Sequence, residues 1–376
     1  MVNTDLIVID ENPKTAHSNN TARFLGEMKI MKNKKMIRHA VLLLAVLVLL
    51  SATALPVGAA RGQRLEVLVG GIPFGVRFFT EGILVVGYCD VESGGGCHNP
   101  ARAAGLCPGD CIYKINEEMP HSAAELSEIV QHSAGELTVC YRREGAEHCT
   151  TLCPLPCDED GKLRLGLFVR DSGAGIGTVT FVMERDNSFA GLGHGICDGE
   201  SGMLIPLSRG SVMGVTIGGI KRGAVGAPGE LRGHFSAGKT GTLLGNTPCG
   251  VYGIFGECPV LPAGKAEIAY RSEVHDGEAT MWCTLDDNVP CAYRVQLSQI
   301  HRGAKGNKCF TVKITDETLL SRTGGILQGM SGSPVLQDGR LVGAVTHVMI
   351  NDPTTGYGIF IENMLNAANM PIKNAA

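Results

Sequence analysis

Residues Gln328–His347 read QGMSGSPVLQDGRLVGAVTH, with glycines packed around Ser331 and an apolar strand at the end. Two readings compete for it. Gly and Pro are ordinary turn residues, so the hexad GMSGSP can be a tight turn between two strands. It can equally cradle a nucleophile. A hydroxyl attacks well only when a base takes its proton and donors stabilise the oxyanion. A turn with Gly329 and Gly332 beside Ser331 can aim the N–H groups of residues 329 and 331 into one small space. The base is available in GLGHGICD, where His194 stands between two glycines at the end of a strand. Small neighbours leave an imidazole accessible and let another chain come close. A polar loop histidine describes most of the eleven histidines, but it describes His194 less well.

The surroundings of these motifs are short strands broken by glycines. GTVTFVMER alternates Val179, Phe181 and Met183, and GVTIGGI, EIAYRSEV, ATMWCTL and KCFTVKI follow at intervals suited to an all-β barrel or sandwich. His275-Asp276-Gly277 reads as a hairpin turn. A double β-barrel over residues 160–370 is the expectation. Upstream, residues 62–155 read as a smaller unit of strands and one helix, joined through the linker CPLPCDEDGK. GILVVGY and ELTVCYRRE are strands, with Leu137, Val139 and Tyr141 alternating. Ser122 and Glu125 form a capping box that opens a helix carrying Leu126, Ile129 and Val130 on one face.

Charge and composition bound the rest. The net charge is −4 over 376 residues, but residues 1–60 hold seven Lys/Arg against four Asp/Glu, so the remainder carries −7. An acidic body argues against nucleic acid as a partner. The positive residues sit in KIMKNKKMIRH, directly before AVLLLAVLVLL and the small residues of SATALPVGAA. This is a basic segment over 1–38 and a signal peptide or membrane anchor over 39–60, with Ala52-Thr53-Ala54 as a cleavage site. The basic flank stays cytoplasmic and the chain beyond is exported. Fourteen cysteines could pair in an exported chain, yet Cys149, Cys153 and Cys157 match no zinc spacing, and neither metal nor cofactor is expected.

NPARAAGLCPGDCIYKINEE, Asn99–Glu118, resembles the PDZ pattern of a small-residue helix, Gly-Leu-x-x-Gly-Asp and an apolar strand. The resemblance implies capture of an extended peptide, or of a segment of this chain, at a sheet edge. GGIPFG would be its carboxylate loop, with Ile72, Phe74 and Gly75 as peptide-binding residues. The groove would lie between FGVRF and the helix starting at Ser122. A spacer without ligand is the plainer alternative.

GMSGSP is similar to the Gly-x-Ser-Gly-x-Pro signature of chymotrypsin-fold serine peptidases, and the order His194 then Ser331 agrees. RLGLFVRDSGAGIGTVTFV, FAGLGHGICD and ITDETLLSRTGGILQGMSGSPVLQDGRLVGAVTHVMINDPTTGYGIFIE, together with the PDZ unit, resemble the stage IV sporulation protein B peptidases of endospore-forming bacteria. The resemblance implies a mainly β chain, a PDZ domain followed by a chymotrypsin-like double barrel. It implies Ser331 as nucleophile, His194 as general base, and Gly329 and Ser331 as the oxyanion hole. Asp316 of ITDETLL would be the third member, with Asp198 the alternative. It also implies export from the forespore into the intermembrane space, self-cleavage, and cutting of a membrane-bound regulator that leads to sigma-K activation. A quality-control protease of the HtrA type and a catalytically dead peptide-binding scaffold are the competing readings.

Overall fold

Residues 38–39, 42, 64–199, 201–285 and 289–372 are described by the computed structural model of the chain. The expected segments 1–38 and 39–60 therefore lie outside the described residues, save 38, 39 and 42. Among the described residues no helix is long and apolar enough to cross a membrane.

β1 (Glu66–Val69) and β2 (Pro73–Tyr88) open the described fold. β2 is a 16-residue strand with two different sets of neighbours. Its second half pairs with β3 (Cys111–Ile115) through Ile83↔Ile112. Between them Asn99 caps the short helix α1 (Pro100–Ala103) by accepting from Arg102 N at 2.9 Å. Helix α2 (Ala123–Gln131) follows, and Ser122 Oγ accepts from Glu125 N at 3.1 Å as the capping box requires. Here the Glu125 carboxylate reaches back to His121 N at 2.7 Å. β4 (Leu137–Arg143) and β5 (Ala146–Leu152) form a hairpin bridged by a Cys140–Cys149 disulfide. Asp110, buried at the Gly-Asp step, accepts from Cys107 N and pairs with Arg143 at 2.7 Å. Ile83, Val85, Ile112, Leu126, Val130, Val139 and Leu165 pack into one core, with Leu163, Leu167 and Val169 against it.

β6 (Leu167–Val182) leaves this core and enters the next. Its first residues pair with β2 at Leu167↔Tyr88 and Arg170↔Leu84; its last pair with β2 at Ser172↔Phe79 through Thr178↔Pro73. β7 (Ser188–Gly191), β8 (Leu207–Lys221), β9 (Glu230–Thr247) and β10 (Gly250–Phe255) complete a ring in the order β6–β7–β10–β9–β8–β2, which closes where β2 meets β6. Phe74, Val76, Val179, Phe189, Val212 and Val251 fill it. The second barrel is closed from β11 (Gly277–Thr284), β12 (Pro290–Ser298), β13 (Phe310–Ile314), β14 (Pro334–Gln337), β15 (Arg340–Met349) and β16 (Asp352–Phe360). Helix α3 (Glu317–Thr323) follows β13, and α4 (Ile361–Ala367) ends the described chain.

The double barrel and the PDZ-like unit agree with the sequence. Their arrangement along the chain differs. Residues 73–80 are barrel strand, held by β6 on one edge and β8 on the other, whereas Leu163–Val169 complete the smaller core. The PDZ-like unit is thus inserted into the β2–β6 hairpin of the first barrel, and no boundary falls at 155. Ile72, Phe74 and Gly75, expected at the peptide groove, are corrected by the same pairings. Phe74 is 2% exposed inside the barrel, Ile72 packs on that core, and a Cβ on Gly75 would stand 2.5 Å from the Phe235 ring. With both edges of FGVRF occupied, no peptide can add there.

Candidate active site

His194 leaves β7 on two successive left-handed residues, Leu192 (φ +64) and Gly193 (φ +67). The glycines answer a close approach of chain. A Cβ on Gly193 would stand 2.9 Å from Thr346 Cγ2, and one on Gly195 would stand 2.8 Å from the Thr247 carbonyl. Asn246 then clamps the segment beyond: it accepts from Ile196 N and donates to the carbonyls of Ile196 and Ile205, all within 2.9 Å. Sequence reasoning missed Asn246, which carries no motif.

Ser331 reaches the same place from the second barrel. Its hydroxyl donates to the Thr346 carbonyl at 2.8 Å, and the ring of the next residue, His347, lies 5.0 Å from the ring of His194. His347 is a strand residue of β15, as its apolar run implied, and its buried Nδ1 has no hydrogen-bond partner among the described residues. The imidazole of His194 points Nδ1 at the Gly195 carbonyl, 2.8 Å away. A carbonyl only accepts, so Nδ1 carries the proton and Nε2 keeps its lone pair. Burial lowers the His194 pKa, and the Gly195 carbonyl offsets part of that, so the ring is neutral at neutral pH.

Five consecutive carbonyls of the serine turn are each tied down. Gln328 O accepts from Leu231 N, Gly329 O from Thr178 Oγ1, Met330 O from Ser333 N, Ser331 O from Thr178 N, and Gly332 O from Thr180 Oγ1, at 2.8–2.9 Å. The N–H groups of Met330, Gly332 and Ser333 are also spent, on Leu327, Val345 and Met330. Among the described residues, those of Gly329 and Ser331 meet no acceptor. A trans peptide sets N–H opposite C=O, so anchoring Gln328 O and Met330 O fixes the direction of both free donors.

With this geometry the comparisons can be placed. Residues 161–365, more than half of the chain, match the SpoIVB peptidase S55 family. The chain belongs to that family. Residues 98–140 match the PDZ domain. No curated protein matches the sequence. Among solved structures the chain is similar to the Rv3671c protease from M. tuberculosis in its active form, with 13% identity, a TM-score of 0.31, 53% of this chain and 76% of that one covered. It is also similar to the HtrA-type protease AlgW with decapeptide, at 12% identity and a TM-score of 0.32, with 53% of each chain covered. As a member of the S55 peptidases the chain is a serine endopeptidase, with a PDZ domain inserted between β2 and β6 of its first barrel.

The two candidate carboxylates of the S55 chain have partners of their own. Asp316 is the N-cap of α3, accepting from Leu319 N at 3.1 Å and lying 3.9 Å from Arg294 Nε. Asp198 is buried, closes a turn with Ser201 and pairs with Arg170 Nε at 2.6 Å. Neither is a hydrogen-bond partner of His194. The PDZ domain has a cavity of its own. A cavity of about 240 Å³ runs between α2 and the start of β6, lined by Leu126, Val130, Leu165, Gly166, Leu167 and Val169. Among the described residues no strand pairs with the edge of Leu167–Arg170 that faces it. The signal was present as RLGLFV, where Gly166 (φ +84) precedes the strand.

Proposed function

We propose that Ser331 is the nucleophile of this peptidase, His194 its general base, and the N–H groups of Gly329 and Ser331 its oxyanion hole. The two free donors, on Gly329 and on Ser331 itself, in a turn whose carbonyls are all anchored, carry the reading. Rotation of the serine about χ1 takes its hydroxyl from the Thr346 carbonyl toward His194, a small motion on the ps–ns scale of side chains. Oγ then attacks the scissile carbonyl carbon while Nε2 takes its proton. The carbonyl oxygen becomes an oxyanion that the two N–H groups hold. His194 returns the proton to the leaving amine, and water attacks the acyl-enzyme by the same base. In this geometry the Gly195 carbonyl fixes the tautomer; the family resemblance gives that task to Asp316.

The wider role rests on membership of the S55 family. The protein is exported into the space between forespore and mother-cell membranes, held or released by its N-terminal segment. There it cleaves itself and then a membrane-associated regulator, which triggers sigma-K activation. An extended peptide, from that regulator or from the chain itself, adds to the free edge of β6 beside α2. The decisive experiment compares the full chain with Ser331→Ala. Wild type takes one fluorophosphonate label at Ser331 and processes itself, and the variant does neither. Undiminished self-processing by Ser331→Ala would sink the reading.

A further inference from the structure

Among the described residues, Thr178 is the one that hydrogen-bonds both loops of the site. Its carbonyl accepts from Leu192 N at 3.2 Å, two residues before His194. Its N–H donates to Ser331 O at 2.9 Å, and its hydroxyl to Gly329 O at 2.8 Å. It is 2% exposed, on the last turnless stretch of β6. From these contacts we infer that Thr178 is a positioning residue of the peptidase, whose hydroxyl holds the Gly329 donor of the oxyanion hole in line. The inference rests on the assignment of Ser331 and its hole made above.

The physical reason lies in Gly329. Its φ of +96 is a conformation that glycine alone adopts freely, so nothing intrinsic keeps the peptide planes on either side of it from turning. The plane before it is held at Gln328 O by Leu231, and the plane after it at its own carbonyl by Thr178 Oγ1. Without the Thr178 bond that second plane is held only by the longer bond from Met330 N to Leu327 O, 3.1 Å, and its tilt passes through the Gly329 Cα to the plane whose N–H meets the oxyanion. Preorganisation is what makes such a donor effective, because it need not reorient when charge develops. Thr180 offers a matched control. It is also buried and also donates its hydroxyl to a turn carbonyl, Gly332 O at 2.8 Å. That carbonyl belongs to the plane after the glycine that follows Ser331, beyond both free donors.

The test is the rate of fluorophosphonate labelling of the full chain, resolved into its maximum and the concentration giving half of it. Thr178→Val keeps the backbone bond to Ser331 O and removes only the hydroxyl. Its maximum rate is expected to fall about tenfold to a hundredfold, less than the ~10²–10³ that follows outright removal of one oxyanion donor, because here the donor is misaimed and not removed. The half-saturating concentration stays unchanged, since binding before attack is untouched. Thr178→Ser restores the hydroxyl and labels within about twofold of wild type, as does Thr180→Val, by the same reasoning. Wild-type labelling by Thr178→Val, equal slowing by Thr180→Val, or failure of Thr178→Ser to rescue would each overturn the inference. Thr178→Ala takes the place of Thr178→Val if the latter does not fold. If neither folds, Thr178 is a folding determinant and the inference falls. A wild-type chain that takes no label at Ser331 refutes the assignment of the nucleophile itself, a separate result.

Discussion

Burial holds the pKa of His194 below its ordinary 6.5, and no carboxylate is among the groups acting on it. His347 beside it is pushed down to about 4, first by burial and then by His194 and Lys308. The base works only when neutral, so a lowered pKa extends activity toward acid. The acid limb of kcat/KM, which reports the free enzyme, is expected below pH 6.5. A limb above it would mean that a carboxylate joins the imidazole in the working state. Asp316 supplies the complementary measurement. As an N-cap, Asp316→Ala should lower stability by about 1 kcal/mol and Asp316→Asn should restore it, because asparagine caps equally well. The Arg294 contact adds little, since that side chain is 75% exposed. Any loss of turnover left in a fully stable Asp316→Asn then measures the charge alone, and thermal unfolding alongside peptidase rates separates the two. The meeting of the Ser331 and His194 loops was legible because glycines around each mark a place where chains approach. Thr178 was not, because its role is made of hydrogen bonds to residues 329 and 331, about which its local sequence says nothing.

Two strands, β2 and β6, each serve both a barrel and the PDZ domain, and this is where sequence and structure part. Thr80-Glu81-Gly82 in β2 and Arg170-Asp171-Ser172 in β6 read as breaks between separate short strands, so nothing local shows that each strand runs on from one core into the next. GGIPFG had the composition of a carboxylate loop, but Phe74 makes an edge contact with Phe189 at 5.6 Å in the first barrel, and Phe189 stacks on Phe255 at 4.4 Å. Phe74→Ala should therefore destabilise the fold by about 3–5 kcal/mol through a cavity. Peptide binding should be spared wherever the protein is folded. The groove proposed above lies instead along the edge of Leu167–Arg170 and the face of α2 with Leu126 and Val130. Titration of an extended peptide, followed by NMR, should shift residues of both segments together. Shifts around Ile72–Gly75 without any at Leu167–Arg170 would contradict this placement. A ligand there lies on the same strand as Thr178, whose three hydrogen bonds reach the catalytic loops.

At the scale of the molecule, three cores share one chain and the barrels meet backbone to backbone. A Cβ on Gly332 would fall 2.0 Å from the Thr178 carbonyl and 2.4 Å from Leu192 N, so the serine turn closes directly on the strand that leads to His194. The double barrel was readable from strand spacing and from the order of the two motifs, but an insertion leaves no such trace. Its consequence is testable with fragments. Residues 62–155 include the barrel half of β2 with both of its partners gone, so Phe74, Val76 and Phe78 lose their cover. The same fragment lacks the strand that pairs with residues 84–88 and the side chains of Leu163, Leu165, Leu167 and Val169. Four such side chains are worth at most about 6–12 kcal/mol at about 1.5–3 kcal/mol each. That is most of the ~5–15 kcal/mol that holds a domain together. Fragment 62–155 is expected to show no cooperative thermal transition. Fragment 81–170 omits the barrel strand, keeps Leu163–Val169 and the Cys140–Cys149 bridge, and should unfold cooperatively with dispersed amide resonances. A cooperative transition in 62–155 and none in 81–170 would restore the consecutive arrangement and remove the inserted one.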